Sequence, residues 1–499
     1  MDVLVKTPCG TLAGTQEEGF QSFLGIPYAA PPVGELRFRR PRPFPGWEGI
    51  RQAKRYGDYC PQPGKRETLQ RDAVPSEDCL TLNIFTPACD GKKRPVAVWI
   101  HGGAYMTGCA SEASRQGGWL CRREDIVIVS IQYRLGAFGQ VDFSCLSGSR
   151  GRFDVNCGTW DQVAAVEWVR ENIALFGGDG DCITLMGESA GASSVLTLMT
   201  TPTLRGRIKG AVMESLPANL INTRENGRIA ALEVIRRLGL TEEEAWKVAD
   251  LPAEELVRAV KEAEDAWVDI RPYSIPTAPV VDGELIPELP FDAALCGAAE
   301  GIRVLLGTTL DEGTMFARGK KGDLFPTSPE QLEKFSASHP EADWEKILAH
   351  YDAVPEKRWA ELGKEITFHL PTVALARGLA RTGDVYLYRF DHVFPMLRLL
   401  KLGAVHCTNS VMVFGGKREG YIKFLSLFSG IAGRRLNRQV HCSWARFLAS
   451  GDPNCEAIPY WPRYGEAGET FVFDRRCRTE TDPARETRTL YGLIRPWGN

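Results

Sequence analysis

Residues 187–191 read Gly-Glu-Ser-Ala-Gly and place a small hydroxyl between two glycines, directly after the apolar run 183–186. One interpretation is an ordinary turn from a strand into a helix. The other is a nucleophile elbow, in which a strained turn projects the Ser189 hydroxyl into a cleft where it attacks a substrate carbonyl. Five-residue matches arise by chance, so this motif alone leaves both interpretations open.

A second glycine motif, His101-Gly102-Gly103-Ala104, also follows an apolar run. Glycines allow backbone N–H groups to approach a substrate oxygen closely. Together with the N–H of Ala190, those of Gly102 and Gly103 would form an oxyanion hole, in which each donor contributes about 3 kcal/mol of transition-state stabilisation. The alternative is a plain glycine turn, and without Ser189 it would be the better interpretation.

Both motifs depend on strands that end at one edge of a sheet. Short β-branched runs flanked by turn residues predict strands buried on both faces, and they occur at 96–100, 125–131, 182–186 and 302–306. Residues 161–176 repeat apolar side chains at steps of three and four, which predicts a helix that ends at Gly177-Gly178. A further helix is predicted over Ala190–Thr200. This alternation predicts an α/β sheet with right-handed crossovers and a site at the carboxyl ends of its strands.

Two kinds of segment depart from this alternation. The first 90 residues are rich in Gly and Pro, which predicts short antiparallel strands and long loops. Residues 218–270 and 328–382 are charged and mostly helical in pattern, so we interpret them as helical insertions above the sheet. No internal repeat or low-complexity linker separates domains.

Composition excludes several classes of function. The 499 residues are 43% hydrophobic and 25% charged with a net charge of −3, which is typical of a globular protein. No Lys/Arg stripe indicates nucleic-acid binding, and no apolar run approaches the ~20 residues of a membrane span. The first residues lack a signal-peptide pattern, so we expect a cytoplasmic protein. The 14 cysteines form no C-x-x-C pair and the seven histidines no H-x-x-x-H pattern, so no metal is predicted.

Motifs distributed along nearly the whole chain resemble one family. They are Phe23–Ala29, Pro31–Phe38, Ser76–Ile84, Tyr133–Gly136, Asp161-Gln162, Phe176–Asp179, the 187–191 motif, Trp444, Phe447, Gly451–Asn454 and Tyr460–Pro462. In these segments the chain is similar to the type-B carboxylesterases, which are α/β hydrolases. The resemblance implies a single domain over 1–499, with a large, mostly parallel sheet flanked by helices.

The resemblance also implies the partners of Ser189. The family's acid lies in a Gly…Asp-Glu-Gly segment, here Gly307–Gly313, so the matching residue is Glu312 and not its neighbour Asp311. The family's histidine lies in a Gly-Ala-x-His segment ahead of Val-Phe-Gly, here 403–406 ahead of 413–415, which gives His406. The order Ser189, Glu312, His406 agrees with that of α/β hydrolases. Glu188 and Ser215 resemble residues that lie near this acid and histidine in relatives, although Glu188 alone is also explained as a carboxylate at a helix N-terminus.

Three departures from the family pattern affect which properties of the family can be expected of this chain. Leu216-Pro217 replaces the Gly-Ser that commonly follows Ser215, in a region that shapes the acyl side of the pocket. Asn409 stands where the family often has Glu or Asp. Cys60 and Cys79 occupy positions that are bridged in secreted relatives, but we expect them to lie close together as thiols, since a cytosol is reducing.

The implied function is serine carboxylesterase activity on small-molecule esters, with an acyl-enzyme on Ser189 and no cofactor. His406 would act as general base and Glu312 would orient it, so activity should fall on acidification near the ordinary histidine pKa of ~6.5. Two rivals stay open: another acyl-transfer enzyme such as an amidase or lipase, and a non-catalytic recognition protein. The physiological substrate and the oligomeric state are not specified by the sequence.

Overall fold

The computed structural model describes residues 1–64, 73–112, 115, 117–319, 324–414 and 429–492. The motif residue Gly415 lies outside this part of the chain. Within it, thirteen strands form one sheet in the order β1-β2-β3-β5-β7-β6-β8-β9-β10-β11-β12-β13, with β4 paired to β2. The strands are β1 (Asp2–Thr7), β2 (Gly10–Gln16), β3 (Gln21–Pro27), β4 (Ile50–Gln52), β5 (Thr81–Thr86), β6 (Arg94–Ile100), β7 (Val127–Ile131), β8 (Gly178–Glu188), β9 (Gly210–Glu214), β10 (Arg303–Thr309), β11 (Val385–Phe390), β12 (Glu469–Phe473) and β13 (Arg478–Thr481).

Helices account for most of the remaining regular structure. The α-helices are α1 (Gly118–Glu124), α2 (Gly136–Gly139), α3 (Cys157–Asn172), α4 (Ala190–Thr200), α5 (Arg224–Arg237), α6 (Ala253–Ile270), α7 (Pro290–Leu295), α8 (Thr314–Gly319), α9 (Pro329–Ala337), α10 (Trp344–His350), α11 (Arg358–Lys364), α12 (Leu370–Leu379), α13 (Pro395–Leu399), α14 (Ser410–Val413), α15 (Gly430–Ser450) and α16 (Arg485–Tyr491). A π-helical turn spans Glu365–His369. Short 3₁₀ turns lie at Gly34–Leu36, Phe143–Cys145, Ser147–Ser149, Ile173–Phe176, Pro202–Leu204, Ala245–Asp250 and Pro355–Lys357.

The centre of the sheet is parallel. From β7 through β6, β8, β9, β10 and β11 to β12, each neighbouring pair runs in the same direction, whereas β1, β2, β3 and β5 pair antiparallel at one edge. The α/β class and the antiparallel N-terminal region are therefore confirmed. All carboxyl ends of the parallel strands meet along one edge, where the sequence places the candidate site.

Helices cover both faces of this sheet. Alternate side chains of β6 enter different clusters: Val98 packs on the side of α3 and α4, and Trp99 packs on the side of α1 and α15. A strand buried on both faces reads as a continuous apolar run, because neither set of alternating side chains meets water. This is why the run over 96–100 predicts β6 within two residues.

Three of the predicted boundaries are wrong. The helix expected over 161–176 is α-helical only to Asn172; a tighter 3₁₀ turn follows, and Gly177 at φ 78° turns the chain directly into β8. Because Gly178 already pairs with Arg94 of β6, β8 begins four residues before the predicted run. The strand predicted from Asp125 begins at Val127, since Asp125 is the left-handed residue that closes α1.

The two ranges interpreted as insertions contain helices but no named strand of the sheet. Residues 218–270 hold α5 and α6, and residues 328–382 hold α9 to α12 with the π-helical turn. The second range reaches the sheet edge through Thr367, whose carbonyl accepts the N–H of Ala218 just after β9. These helices therefore lie against the carboxyl ends of the central strands.

Candidate active site

Ser189 forms a strained turn between β8 and α4. Its backbone has φ 57° and ψ −128°, and its hydroxyl makes no capping hydrogen bond to the helix that it precedes. Residues other than glycine rarely adopt such angles, which cost of order 1–3 kcal/mol. A helix-capping serine would have extended backbone and would use its hydroxyl on the first turn. The conformation therefore favours the elbow over the ordinary strand-to-helix turn.

Close packing explains the two glycines around this serine. A Cβ atom on Gly187 would lie 2.2 Å from the carbonyl oxygen of Gly191, and a Cβ atom on Gly191 would lie 2.1 Å from that of Ile100. No side chain fits at these distances. The glycines let α4 start directly against the ends of β6 and β8, which holds Ser189 in its strained conformation.

The predicted oxyanion donors lie beside Ser189. Gly102 lies two residues after the end of β6, and a Cβ atom there would lie 3.1 Å from Cβ of Ser189. Ala190 is the first residue of α4. Among the described residues, the N–H groups of Gly102, Gly103 and Ala190 donate to no recorded acceptor. Unused N–H groups at a helix N-terminus favour an anion. Gly102 and Ala190 thus present N–H groups next to the serine, and Gly103 follows Gly102 directly.

Glu312 and His406 form a buried hydrogen-bonded pair. Oε2 of Glu312 lies 2.5 Å from Nδ1 of His406, and Oε1 of Glu312 accepts the backbone N–H of Thr309 at 2.7 Å. Glu312 has no exposed surface. A carboxylate accepts hydrogens only, so Nδ1 carries the proton and Nε2 is left as the basic nitrogen.

Asp311, the neighbour of this acid, bonds to the main chain of the loop that carries the histidine. Oδ2 of Asp311 accepts the N–H of Ala404 at 2.7 Å, and the Asp311 N–H donates to the Ala404 carbonyl at 3.0 Å. Burial raises the pKa of the Asp311 carboxyl above its ordinary value, although the Ala404 N–H opposes this rise. Asp311 and Glu312 therefore face different parts of the same loop.

Nε2 of His406 faces Glu188. The distance from Nε2 to Oε1 of Glu188 is 3.3 Å, and Nε2 makes no hydrogen bond within the described parts of the chain, including to Ser189 Oγ. Catalytic contacts are often long in the absence of substrate. Burial lowers the pKa of His406, but its contacts with Cys407 and Glu312 raise it, and the net direction is well above the ordinary value.

The two other predicted site residues differ in their contacts. Glu188 is 2% exposed, and its Oε2 accepts from Arg115 at 3.2 Å, so the carboxylate has a cationic partner. Ser215 is buried at φ 53°, and its N–H donates to Gly307 of β10 at 2.8 Å. The Ser215 hydroxyl has no hydrogen-bond partner among the residues that the structure describes. The structure therefore brings Glu188, and not the Ser215 hydroxyl, into contact with the histidine.

Asn409 connects the histidine loop to β9. Its amide donates to Oε2 of Glu214 at 2.8 Å and to the Tyr388 hydroxyl at 3.0 Å, and Trp444 Nε1 donates to the other carboxyl oxygen of Glu214 at 2.8 Å. Burial raises the pKa of Glu214 to about 7. A carboxylate at position 409 would meet this buried acid, whereas an amide donates to it. The departure from the family pattern therefore matches the local acceptor.

Aromatic rings enclose the histidine on a third side. The rings of Phe316 and Phe368 lie 5.3 and 5.1 Å from the imidazole, and 5.7 Å from each other. Phe368 belongs to the π-helical turn, an irregularity that is frequent at functional sites. Leu216, the residue after Ser215, is also buried. The carbonyl oxygen of Pro217 accepts a hydrogen bond from the Ser193 hydroxyl of α4 at 3.1 Å. Apolar groups thus limit water around the candidate base.

Cys60 and Cys79 lie together as expected. Both are buried thiols, and the hydrogen bond to Cys60, together with burial, raises the pKa of Cys79 well above its ordinary value. Proximity of this pair is confirmed.

The mostly parallel central sheet and the strained serine turn that follows one of its central strands define the class of α/β hydrolases. Within that class, the model described as the carboxylesterase family matches residues 1–488, so the chain belongs to this family and is a carboxylic ester hydrolase. The para-nitrobenzyl esterase of Bacillus subtilis (strain 168) is 34% identical over 97% of each chain. The phenmedipham hydrolase of Pseudarthrobacter oxydans is 33% identical over 97% of each chain.

A solved structure gives the same result. The carboxylesterase of Geobacillus stearothermophilus is 32% identical, covers 98% of this chain and 100% of its own, and aligns with a TM-score of 0.86. In the described residues, no helix has the length and apolar character required to cross a membrane.

Sequence reasoning missed several groups in the site. Arg115 lies in a segment with no recognised motif, whereas Glu214 and Cys407 adjoin the predicted residues Ser215 and His406. The roles of all three depend on long-range contacts. A usable signal existed only for Cys407, a thiol directly after the candidate histidine.

Proposed function

We propose that the ester hydrolysis uses Ser189 as nucleophile, His406 as general base and acid, and Glu312 as the group that orients His406. The observation that carries this proposal is the hydrogen bond of 2.5 Å between Glu312 Oε2 and His406 Nδ1. It fixes the tautomer in which Nε2 accepts a proton, and the strained turn at Ser189 supplies a hydroxyl at the same edge of the sheet.

In the first half of the reaction, Ser189 Oγ attacks the ester carbonyl carbon while its proton passes to His406 Nε2. The carbonyl oxygen becomes an oxyanion, and the N–H groups of Gly102, Gly103 and Ala190 donate to it. Collapse of the tetrahedral intermediate breaks the bond to the alcohol oxygen. His406 gives that oxygen the proton, and the alcohol leaves an acyl group on Ser189.

In the second half, water attacks the acyl-enzyme. Nε2 takes a proton from the water, the same three N–H groups hold the new oxyanion, and Ser189 recovers its proton as the acid leaves. Glu312 stabilises the imidazolium in both halves without taking its proton. These steps use only groups of this chain.

The proposed substrates are small carboxylic esters, and the named relatives supply two probes: a para-nitrobenzyl ester and phenmedipham. An amide of the same acid tests the amidase alternative. A cytoplasmic location is part of this proposal, and it is tested by the thiol state of Cys60 and Cys79. The recognition-protein alternative predicts no turnover of any of these compounds.

Labelling with a fluorophosphonate tests the nucleophile directly. We expect one equivalent of label on Ser189, located by fragmentation of the peptide that also contains Ser193 and Ser194 of α4, which serve as internal controls. Ser189→Ala should lose both labelling and a pre-steady-state burst of alcohol release while keeping the melting temperature. Label on another residue, or a burst retained by Ser189→Ala, would show that the nucleophile is misassigned.

A further inference from the structure

Three side chains of different chemistry converge beside Ser189. Oε1 of Glu188 accepts from the Cys407 thiol at 2.5 Å and lies 3.3 Å from Nε2 of His406. The carboxylate oxygen, the imidazole nitrogen and the sulfur all lie within 4.8 Å of one another. The reaction described above needs neither the thiol nor this convergence.

The set has the ligand types of a zinc site. Zinc binds sulfur at about 2.3 Å and nitrogen or oxygen at about 2.0–2.2 Å, with roughly tetrahedral angles, so ligand atoms lie about 3.3–3.8 Å apart. The Nε2–Oε1 distance of 3.3 Å is within that range, whereas the sulfur and Oε1, at 2.5 Å, have to move apart to bind the same cation. Three protein ligands leave a fourth position for water, which is common in open zinc sites.

The histidine is already oriented for this purpose. Nε2 is buried and has no hydrogen-bond partner in the described residues, while Nδ1 is held by Glu312. A carboxylate on the far nitrogen is the usual support of a metal-binding histidine. The same contact that makes Nε2 a base therefore makes it a metal ligand.

Cys407 adds an observation that packing alone does not explain. Its φ of 71° lies in the left-handed region, where a non-glycine residue is strained. The residue as a whole keeps part of its surface exposed, although burial of the thiol itself is what raises its pKa. Strain at a site is a reason to ask what the side chain does there.

We propose that Glu188 Oε1, His406 Nε2 and Cys407 Sγ form a binding site for a thiophilic divalent cation such as Zn²⁺, and that the bound cation inhibits the enzyme. Binding releases the thiol proton, together with the Nε2 proton when the imidazole is charged, to solvent and forms bonds from the cation to S⁻, Nε2 and Oε1. The inhibition rests on the proposed role of His406, because a metal on Nε2 occupies the lone pair that would accept the Ser189 proton.

Two local features set the limits of this binding. Burial raises the pKa of the Cys407 thiol to about 11, so the cation must displace a proton instead of finding a thiolate. Arg115 is a positive charge near the site, but it pairs with Oε2 of Glu188 and leaves Oε1 free for the cation. A soft thiolate ligand selects Zn²⁺ and Cd²⁺ over Mg²⁺ and Ca²⁺.

The first test is inhibition of the purified full-length enzyme. Zn²⁺ should inhibit hydrolysis of a chromogenic ester, and EDTA should reverse this inhibition. Mg²⁺ should not inhibit. Cys407→Gly suits the left-handed backbone, and each variant is compared with its own metal-free rate. The Zn²⁺ concentration for half-inhibition should rise by at least about tenfold in Cys407→Gly, and should stay unchanged in Cys296→Ser, which removes an exposed thiol elsewhere.

The second test measures binding without turnover. Co²⁺ should give a thiolate charge-transfer band in the near ultraviolet with one equivalent bound, and Cys407→Gly and Cys407→Ser should lack it. Absence of this band in the parent enzyme, or equal Zn²⁺ sensitivity in Cys407→Gly, overturns the metal site. If the band appears but ester hydrolysis continues, the site stands and the role of His406 is wrong.

Discussion

Replacing Glu312 by Gln tests the proposed acid with almost no change in volume. In the structure, Oε1 accepts from the Thr309 N–H and Oε2 accepts from His406 Nδ1. A glutamine has one acceptor oxygen and one NH₂ group, so it cannot accept from both donors. If its oxygen stays on Thr309, its NH₂ faces Nδ1 and forces the proton onto Nε2. That tautomer cannot accept the Ser189 proton.

The expected loss of kcat follows from the two orientations that the glutamine amide can take. Reversing the amide restores the right tautomer but places the NH₂ against the Thr309 N–H in a site with no exposed surface. Leaving such a buried donor unsatisfied costs about 1–3 kcal/mol. Either orientation also removes the charge that stabilises the imidazolium. The corresponding Asp→Asn change in a serine protease lowers kcat by about 10⁴-fold, or about 5.5 kcal/mol, and we expect a loss between about 10² and 10⁴ here.

Asp311→Asn is the matched control, because it makes the same chemical change at the adjacent residue. Asp311 accepts a single recorded N–H, from Ala404, and an asparagine oxygen can accept it equally. The loss should stay within about tenfold, the equivalent of one net hydrogen bond. Steady-state kcat and KM for a chromogenic ester are measured for both variants, with KM nearly unchanged in Glu312→Gln. If Asp311→Asn is the inactive variant and Glu312→Gln is nearly normal, the assignment of the acid is wrong.

Three further predictions concern pH, a loop contact and the thiols. Because the pKa of His406 is raised well above its ordinary value, the imidazolium persists to higher pH, and the acid limb of kcat/KM should lie above the ~6.5 expected from the sequence; a limb at or below that pH contradicts the structure. Asn409→Asp replaces an amide donor by a carboxyl group against a buried acid. Like charge raises the folded-state pKa of both groups, so stability falls as pH rises, and the melting temperature should drop more at pH 8 than at pH 5.5 relative to the parent; equal drops would show that charge is not the cause. Alkylation and mass spectrometry under non-reducing conditions should find Cys60 and Cys79 as thiols, and a quantitative disulfide would contradict the cytoplasmic proposal.

Local sequence patterns predict the elements that carry the site. Helix α4 matches the predicted Ala190–Thr200 in full, because the strained turn before it and the glycines around it leave one way to start a helix. The buried strands β6 and β10 are also recognisable, since both faces need apolar side chains. The pairing of Glu312 with His406 came from resemblance to a family, not from the residues alone.

Contacts between distant segments were not predictable. Glu214 and Asn409 are separated by 195 residues yet share a hydrogen bond of 2.8 Å, and neither residue signals the other in sequence. The early start of β8 is similar, because it depends on pairing between Gly178 and Arg94. The three-ligand cluster was missed for the same reason: metal-ligand patterns are recognised by spacing within a segment, and Glu188 is 219 residues from Cys407.

Two buried carboxyl groups, Glu312 and Glu188, face the two ring nitrogens of His406, and a third, Glu214, accepts from Asn409 of the same loop. Glu312 accepts from two N–H donors, the backbone of Thr309 and Nδ1 of His406. Glu214 accepts from the neutral donors Trp444 and Asn409, and burial raises its pKa to about 7.

Glu188 is the carboxyl group that faces Nε2 of His406. Its Oε1 lies 3.3 Å from Nε2, on the side where the proton must pass between Ser189 and the leaving alcohol. An unpaired carboxylate there would hold the proton on Nε2 and slow its transfer to the alcohol. Arg115 contacts the same carboxylate, and opposite charge weakens the attraction of Glu188 for the imidazolium. In the proposed mechanism, Arg115 therefore assists proton donation by His406 through its contact with Glu188.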